Sequence, residues 1–329
     1  MIRYFCTYFD QYYLPRGLAL YRSLKRHCRD FQLWILCLDG TSHSVLANLQ
    51  LPELHLIRLE DFERNDEALR QAKLNRTTVE YYFTCTPSLP LFVFRQCPDI
   101  GLLTYLDADL FFFADPASLY DELGERSIAI IEHRFPPRLR YCERNGIYNV
   151  GWLSFRRDTD GLSCLNWWRD RCIEWCYDRY EDGRYADQKY LDAWPERFKG
   201  VTVLKHKGAN LAPWNLANYA VHSDGDRVWV DEQPLLFFHF QGFKQLTPWL
   251  YDPNLARYGV RLSKAVRQGI CAPYIEALSE IAHNGRVPRG IRDASSRWPK
   301  FVRDARTLLR IAPGILTRRY LVCLSERVV

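Results

Sequence analysis

The chain has 329 residues, of which 47% are hydrophobic and 26% are charged, a composition that allows a large buried core. An aromatic content of 15% excludes disorder as the main state, and 17 glycines and 17 prolines without periodicity exclude a collagen-like or low-complexity chain. No stretch approaches the roughly 18 uninterrupted apolar residues of a membrane span, and the N-terminal segment has the pattern of a strand rather than of a signal peptide. We therefore expect a cytoplasmic protein.

Charge is distributed unevenly along the chain. Of the net charge of +6, the segment 284–329 contributes +8 from eleven basic and three acidic residues, which leaves −2 for the rest. This asymmetry predicts two functional parts. The eleven cysteines are scattered, form no Cys-x-x-Cys pair and lie mostly in apolar segments, so we interpret them as reduced, buried residues.

In chain order, apolar and β-branched runs alternate with amphipathic segments. The runs predict strands at 2–9, 33–39, 54–59, 102–113, 127–133, 149–155, 201–206 and 235–240. Several of these runs are almost continuously apolar, which is typical of strands buried on both faces. The alternation indicates the α/β class, with a mostly parallel sheet between layers of helices.

Within residues 1–250, helices are predicted at three places. Apolar residues at helical spacing predict a helix over 15–28, and Thr86-Pro87 has the pattern of an N-cap and a first helical residue. A third, amphipathic helix has an apolar face formed by Cys164, Trp168, Cys172, Trp175 and Cys176.

Two acidic residues interrupt the most apolar of the predicted strands. In sheets of this class ligands bind beyond the carboxyl ends of the strands, and Asp107-Ala108-Asp109 divides the run 102–113. In an extended segment both carboxylates point to one side, about 7 Å apart. Two ionised carboxylates in an apolar run are costly without a cation, and Mn²⁺ or Mg²⁺ prefers carboxylate oxygens. The pair predicts a divalent-metal site; a strand-end turn with two solvated acids is the alternative.

Four segments resemble a known family. TYLDADLFFF (104–113) resembles the Asp-x-Asp motif of GT-A glycosyltransferases, which use nucleotide-diphosphate sugars. In the family's order follow YNVGWLSFRRD (148–158), similar to its Asn-x-Gly segment, YADQKYLDAWP (185–195), similar to its Asp-Gln segment, and FFHFQGFK (237–244), similar to its His-x-x-Gly segment. The sequence is most similar to family 8-like enzymes, which include glycogenin-like and lipopolysaccharide-sugar transferases.

This resemblance covers roughly residues 1–250. It implies a GT-A, Rossmann-like catalytic domain over 1–250 and leaves 251–329 as a helical, basic C-terminal extension.

The resemblance implies a role for each matching residue. Asp107 and Asp109 would hold Mn²⁺ or Mg²⁺, which bridges the two donor phosphates, and His239 would be the third ligand; a core histidine is the alternative for His239. Gly242 would let the backbone approach the pyrophosphate. Lys244 would neutralise a phosphate, although the family places this lysine one residue later.

The resemblance also implies contacts with the sugar and the nucleotide. Asp187 and Gln188 would lie at the donor sugar and Asn149 on the acceptor side, forming the catalytic set; a helix N-terminus and a strand cap are the structural alternatives. Further donor-binding residues would be Thr7, Tyr8, Asp10, Tyr12, Asp39, Asp107, Ala108 and Gly151. The family often has an arginine where this chain has Thr86-Pro87-Ser88, so Arg76 is expected to supply that charge from a loop.

Together these matches imply a metal-dependent, retaining glycosyltransferase that moves a sugar from a nucleotide-diphosphate donor to a saccharide or lipid-linked acceptor. The acceptor is expected near a group of loop residues, unless these loops are only solvated surface: Arg134, Arg138, Arg140, Arg144, Trp214 and Asn215. Two alternatives are a non-catalytic nucleotide-sugar-binding protein and a metal-dependent phosphoesterase or nucleotidyltransferase that uses the same carboxylates.

Within the basic extension, residues 297–310 alternate apolar and basic positions at helical spacing. The pattern predicts a basic amphipathic helix that either lies on an anionic membrane surface, which would make the protein peripheral to the inner face of the membrane, or packs on the body. Nucleic acid is not an expected partner, because no recognition motif accompanies the charge.

Overall fold

The structure is a computed structural model that describes residues 2–283, 320–324 and 327–328. The chain divides into two compact units, each built from three segments. The first unit comprises Met1–Asp10, Cys28–Ala108 and Pro116–His206. The second unit comprises Gln11–His27, Asp109–Asp115 and Lys207–Val329.

The strands, in chain order, are β1 (Arg3–Phe9), β2 (Phe31–Cys37), β3 (Leu54–Arg58), β4 (Leu102–Leu106), β5 (Leu110–Phe112), β6 (Ile128–Glu132), β7 (Tyr148–Arg156), β8 (Val201–Leu204), β9 (Val221–Asp224), β10 (Arg227–Val230), β11 (Gln233–Pro234), β12 (Phe237–His239), β13 (Lys244–Thr247), β14 (Leu250–Asp252), β15 (Leu321–Leu324) and β16 (Arg327–Val328).

The α-helices are α1 (Leu14–His27), α2 (Gly40–Leu49), α3 (Leu59–Glu63), α4 (Glu67–Lys73), α5 (Thr78–Cys85), α6 (Ser88–Gln96), α7 (Ala117–Leu123), α8 (Thr159–Glu174), α9 (Trp194–Arg197) and α10 (Ala272–His283). Short 3₁₀ helices cover Pro137–Asn145, Lys189–Ala193, Leu216–Asn218 and Ala256–Tyr258, and a π-helical turn, Val266–Cys271, precedes α10.

A seven-stranded sheet with the order β3-β2-β1-β4-β7-β6-β8 forms the centre of the first unit. Four of its six pairings are parallel, and only β7 runs antiparallel to both of its neighbours. The predicted α/β class with a mostly parallel sheet and flanking helices is therefore confirmed.

Burial and capping explain this arrangement. β4 and β7 are buried over almost their whole length, as their apolar sequences predict. Helices begin where a side chain satisfies the free N–H groups of the first turn. Asp39 accepts from Ser42 N at the start of α2, and Asp158 accepts from Gly161 N at the start of α8.

The second unit contains smaller sheets and two long helices. β5 pairs antiparallel with β12, so that Leu110 lies opposite His239. Separate sheets are formed by β9, β10 and β11 and by β13 to β16. α1 packs against α10, and an exposed pair between Arg22 and Glu280, 3.1 Å apart, links the two helices. Phe240 stacks on Tyr274 of α10, with 3.7 Å between the ring centroids.

The prediction of one strand over 102–113 was wrong. β4 ends at Leu106 and belongs to the seven-stranded sheet, whereas β5 begins at Leu110 and pairs with β12. Ala108 and Asp109 form a turn between them. The segment is therefore not extended, and the separation of about 7 Å predicted for the two carboxylates does not apply.

Two helix boundaries also differ from the prediction. Thr86 does not cap a new helix but ends α5, where its N–H donates to Phe83 O, and α6 begins only after Pro87. Proline lacks the N–H that a continuing helix would need. Likewise α8 ends at Glu174, and Trp175 is already extended, so Trp175 and Cys176 are not on the helix.

Burial of the cysteines follows the prediction: eight of the ten cysteines in residues 2–283 are buried. None of the helices within the described ranges has the length and apolar character of a membrane-crossing helix. The predicted amphipathic helix at 297–310 lies outside the described residues.

Candidate metal and sugar site

In the second unit, strand pairing brings an aspartate and a histidine into contact. Asp109 directly precedes β5, and His239 ends β12, which pairs with β5. Phe240 N donates to Asp109 O at 2.9 Å, which continues this pairing past the strand ends. As a result His239 Nε2 lies 3.1 Å from Asp109 Oδ1, and both side chains are buried.

A buried arginine of α1 contacts the same aspartate. Arg16 is only 2% exposed, and its Nη1 lies 3.9 Å from Asp109 Oδ2. Its Nη2 donates to Phe243 O at 2.6 Å, and its guanidinium carbon lies 4.5 Å from the ring centroid of Tyr13. These contacts hold the guanidinium in place at both ends.

The charged neighbours determine the ionisation of Asp109. Burial acts to raise the pKa of its carboxyl, but the imidazole of His239 and the guanidinium of Arg16 outweigh burial and hold the pKa below its ordinary value. Asp109 is therefore a carboxylate at neutral pH.

Asp107 completes a set of three metal-ligating side chains. Only Ala108 separates it from Asp109, so the chain itself keeps the two residues close. Asp107, Asp109 and His239 each offer one ligand atom, and these atoms lie within 4.8 Å of one another. Two carboxylate oxygens and one imidazole nitrogen form a donor set that suits a divalent ion such as Mn²⁺.

Within the first unit, hydrogen bonds connect Asp107 to the predicted Asn-x-Gly segment. Tyr105 Oη donates to Asp107 Oδ1 at 2.9 Å, and Asp107 N donates to Gly151 O at 3.1 Å. Gly151 N in turn donates to Asn149 Oδ1 at 3.0 Å. Asn149 Nδ2 lies 3.3 Å from His133 Nε2. The strand ends of β4 and β7 thus fix Asp107 and Asn149 relative to each other.

A second buried carboxyl, that of Asp187 in the first unit, has a pKa shifted in the opposite direction. Burial, the largest cause, raises its pKa to about 7; a hydrogen bond with Thr86 lowers the pKa, and the charge of Asp107 raises it further. Trp168 Nε1 donates to Asp187 O at 2.8 Å and so holds its backbone.

The residues on either side of Asp187 are tightly constrained. Ala186 has a φ of 45°, in the left-handed region that costs a non-glycine residue about 1 kcal/mol or more. Gln188 Nε2 donates to Asn145 O at 2.9 Å. Gly146 has a φ of 139°, and a Cβ there would lie 2.8 Å from Gln188 Cγ. Only glycine therefore lets Gln188 pack at this position.

The predicted nucleotide residues have differing environments. Tyr8 Oη lies 3.1 Å from Thr86 Oγ1, and burial raises the pKa of its phenol well above the ordinary range. Asp10 accepts from Tyr82 Oη at 3.4 Å, whereas Thr7 is fully buried. In the second unit, Tyr12 is exposed.

Two other candidates have structural partners. Asp39 Oδ1 caps α2 by accepting from Ser42 N at 2.7 Å. The guanidinium carbon of Arg76 lies 3.9 Å from the ring centroid of Tyr177, and Arg76 Nη2 donates to Ile173 O. Their roles toward a nucleotide stay predictions.

In the His-x-x-Gly segment, the backbone of Gly242 lies close to the side chain of Asn254. Gly242 has a φ of 71°, and a Cβ there would lie 2.3 Å from Asn254 Nδ2. Asn254 Nδ2 donates to Gln241 O at 3.1 Å, so it cannot withdraw without breaking this bond. Lys244, at the start of β13, is exposed.

The acceptor prediction is corrected at one position. Trp214 is only 3% exposed and packs edge-on against His239, with 5.1 Å between ring centroids, so it offers no open face for a saccharide to stack on. Asn215 is fully buried and donates to Asn210 O, which fixes its own loop.

The four arginines of the other acceptor segment differ in exposure. Arg138, Arg140 and Arg144 are exposed, and the guanidinium carbon of Arg144 lies 4.5 Å from the ring centroid of Tyr180. Arg134 is half-buried and donates to His206 O.

Sequence reasoning missed Arg16, Tyr105 and Gly146. Only Arg16 had a usable indication in the sequence: an arginine in the first turn of a helix opposes the helix dipole and is favoured by an acidic partner elsewhere. Tyr105 and Gly146 act through contacts that residue types alone do not specify.

Comparison with solved structures defines the class of this fold. The galactosyltransferase LgtC in complex with donor and acceptor sugar analogs matches with a TM-score of 0.52 and 17% identity, over 85% of this chain and 96% of that chain. A structure of an active-site mutant of LgtC matches with a TM-score of 0.51 and 17% identity, over 86% and 96%. The fold is that of the GT-A glycosyltransferases that resemble family 8, as the sequence motifs implied.

Comparison of sequences places the chain in a family. It is 34% identical over 301 residues to the uncharacterized protein YfnD of Bacillus subtilis (strain 168), which covers 91% of this chain and 93% of that protein. It is 33% identical over 248 residues to the uncharacterized protein YfnF of the same organism, covering 73% and 81%. The chain belongs to the family of YfnD and YfnF. No protein-family model matches it.

Proposed function

We propose that the protein is a metal-dependent glycosyltransferase that transfers a sugar from a nucleotide-diphosphate donor to a saccharide acceptor. The single observation on which this depends is the cluster of Asp107, Asp109 and His239 in a chain with the GT-A fold. The likeness to LgtC, solved with donor and acceptor sugar analogs, supports the same two classes of substrate here.

The three side chains fit a divalent ion. Asp109 is an ionised carboxylate, and the hydrogen bond from Tyr105 orients Asp107. His239 can present Nε2 as a ligand, because it lies beside Asp109 Oδ1. Bound there, Mn²⁺ or Mg²⁺ would supply a positive charge against which a diphosphate can leave.

Asp187 is proposed to bind the donor sugar. Because its pKa is raised to about 7, a large fraction of Asp187 carries a proton at pH 7 and below, and this form can donate a hydrogen bond to a sugar hydroxyl. Asn149 and Gln188 would orient the sugar and the acceptor hydroxyl, and Gln188 is fixed for this by Asn145 and Gly146. A leaving phosphate oxygen would take the acceptor's proton, in keeping with retention of configuration.

The exposed arginines at 138, 140 and 144 favour an acceptor with negative charge, such as an anionic saccharide or a phosphate-linked lipid carrier. The predicted membrane contact of residues 297–310 would suit a lipid-linked acceptor. Co-sedimentation with anionic vesicles tests this contact when the wild type is compared with a variant in which Lys300, Arg303, Arg306 and Arg310 are changed to glutamine.

A screen of nucleotide sugars tests the activity. We expect Mn²⁺-dependent release of a nucleoside diphosphate from one donor, lost in chelator and in Asp109→Asn. Asp99→Asn, which changes an exposed acid of the first unit, is the matched control and should retain activity. Donor binding without turnover, for every acceptor tested, would instead favour a nucleotide-sugar-binding protein.

A further inference from the structure

Arg16 places a third formal charge beside the metal-ligating carboxylates. A buried arginine normally requires a paired anion, and Arg16 Nη1 lies 3.9 Å from Asp109 Oδ2. Phe243 O and the ring of Tyr13 hold the guanidinium as well, so moving it into solvent would break these contacts. The charge therefore stays in place whether or not Asp109 binds an ion.

This fixed charge changes what the ligand set can bind. Two aspartates and a neutral imidazole carry −2, which a divalent ion would neutralise. With Arg16 these four side chains together carry −1, so a bound divalent ion brings their sum to +1. Arg16, Asp109 and His239 are buried, where an uncompensated charge is costly. A diphosphate on the ion removes this excess, whereas water does not.

We propose that Arg16 is a positioning residue that makes this site favour a metal–diphosphate complex over the bare metal ion. The inference rests on the proposed function, because it takes Asp107, Asp109 and His239 as metal ligands. Arg16 would act in two ways. It fixes the Asp109 carboxylate and the 240–243 turn that follows His239, and its charge makes binding of the ion depend on the diphosphate.

Metal-binding titrations of matched variants test the proposal without any turnover. Free Mn²⁺ is followed by electron paramagnetic resonance, first with the ion alone and then with each of the five common nucleoside diphosphates. For the wild type we expect weak binding of Mn²⁺ alone and a marked increase in affinity with the preferred diphosphate.

Arg16→Gln removes the charge and keeps a donor for Phe243 O. We expect it to bind Mn²⁺ alone roughly tenfold more tightly than the wild type, and to lose most of the increase that the diphosphate gives. Arg16→Lys keeps the charge, so the diphosphate should increase the affinity for Mn²⁺ in this variant as it does in the wild type. Arg16→Met is a second neutral variant for the case in which Arg16→Gln does not fold, with circular dichroism as the check.

The outcomes separate the two proposals. If folded Arg16→Gln or Arg16→Met binds Mn²⁺ alone no more tightly than the wild type, Arg16 has only a structural role and the inference is overturned. The inference is also overturned if all three substitutions weaken Mn²⁺ binding to the same extent and the diphosphate still increases the affinity for Mn²⁺ as much as in the wild type. If the wild type binds no Mn²⁺ with any diphosphate, the metal site itself, and with it the proposed function, is overturned.

Discussion

Two buried aspartates of this protein, Asp109 in the second unit and Asp187 in the first, respond to burial in opposite ways. Both are less than one-tenth exposed. Asp109 faces His239 and Arg16, and its pKa falls below the ordinary value. Burial, with a smaller contribution from the negative charge of Asp107, outweighs the hydrogen bond of Asp187 with Thr86 and raises its pKa to about 7. Cationic neighbours, rather than depth, decide the protonation state of a buried carboxyl.

The difference matches two different tasks. A carboxylate that stays ionised near neutral pH is available to ligate a cation, whereas a carboxyl that keeps its proton can donate to a neutral hydroxyl. The same residue type therefore supplies both chemistries, and the surrounding side chains select between them.

The largest effect on activity is expected when Asp109, the ionised aspartate of the two, is changed. Asp109→Asn keeps the size of the side chain but removes the charge that would hold the ion. We expect at least roughly a thousandfold loss of Mn²⁺-dependent transfer, because a metal contributes several kcal/mol of charge stabilisation. Initial rates on the donor identified by screening measure this. Undiminished turnover in the variant would show that the ion does not bind here.

The second prediction concerns Asp187 and the dependence of folding stability on pH. Below pH 3.8 the Asp187 carboxyl is protonated in both the folded and the unfolded protein. Between pH 3.8 and about 7 it keeps its proton only in the folded protein. Above pH 7 it is ionised in both states, and in the folded protein this places a charge in a buried position. Wild-type stability should therefore fall as pH rises through this window, by about 4 kcal/mol in total.

Asp187→Asn cannot ionise, so it should gain stability relative to the wild type as pH rises from 4 to 8. Urea denaturation in chelator at several pH values measures the difference. A stability difference that stays constant with pH would mean that Asp187 titrates normally, and the comparison of the two aspartates would fail.

The third prediction concerns a variant in which Asp109 loses its cationic neighbour Arg16. Arg16→Met should cost about 3 kcal/mol of folding stability at pH 7, because it leaves a buried carboxylate with less compensation. Arg22→Met is the matched control on the same helix: its ion pair with Glu280 is exposed and should be worth less than about 1 kcal/mol. In a double-mutant cycle, Asp109→Asn should recover part of the loss from Arg16→Met; strict additivity would exclude an interaction.

Much of the framework could be predicted from the sequence. Continuous apolar runs located the strands of the seven-stranded sheet other than β4 to within a few residues, because strands covered on both faces tolerate few polar residues. The Asp107 and Asp109 pair was expected because two acidic residues interrupt an apolar run, whereas His239 was expected only from the resemblance to the family. The three side chains lie together in the structure, and their role as metal ligands stays a prediction. The GT-A fold itself came from the resemblance of four motifs rather than from periodicity.

Other features depend on tertiary contacts that sequence patterns do not record. The break between β4 and β5 arises because each strand pairs in a different sheet, although the apolar run looks continuous. The burial of Trp214 and the contact of Arg16 with Asp109 arise from packing among residues far apart in the chain. The opposite pKa shifts of Asp109 and Asp187 follow from such neighbours as well.

The smallest expected effect adds a third carboxyl to the comparison, one that is only half-buried. Asp39 caps α2 through Ser42 N, so Asp39→Ala should cost about 1 kcal/mol of stability in urea denaturation. Asp39→Ser keeps a capping oxygen without the charge and should stay within about 0.5 kcal/mol of the wild type. If Asp39 also contacts the nucleotide, as the motifs imply, Asp39→Ser should bind the preferred nucleoside diphosphate less tightly despite its unchanged stability. Wild-type affinity in this variant would assign Asp39 to the helix cap alone.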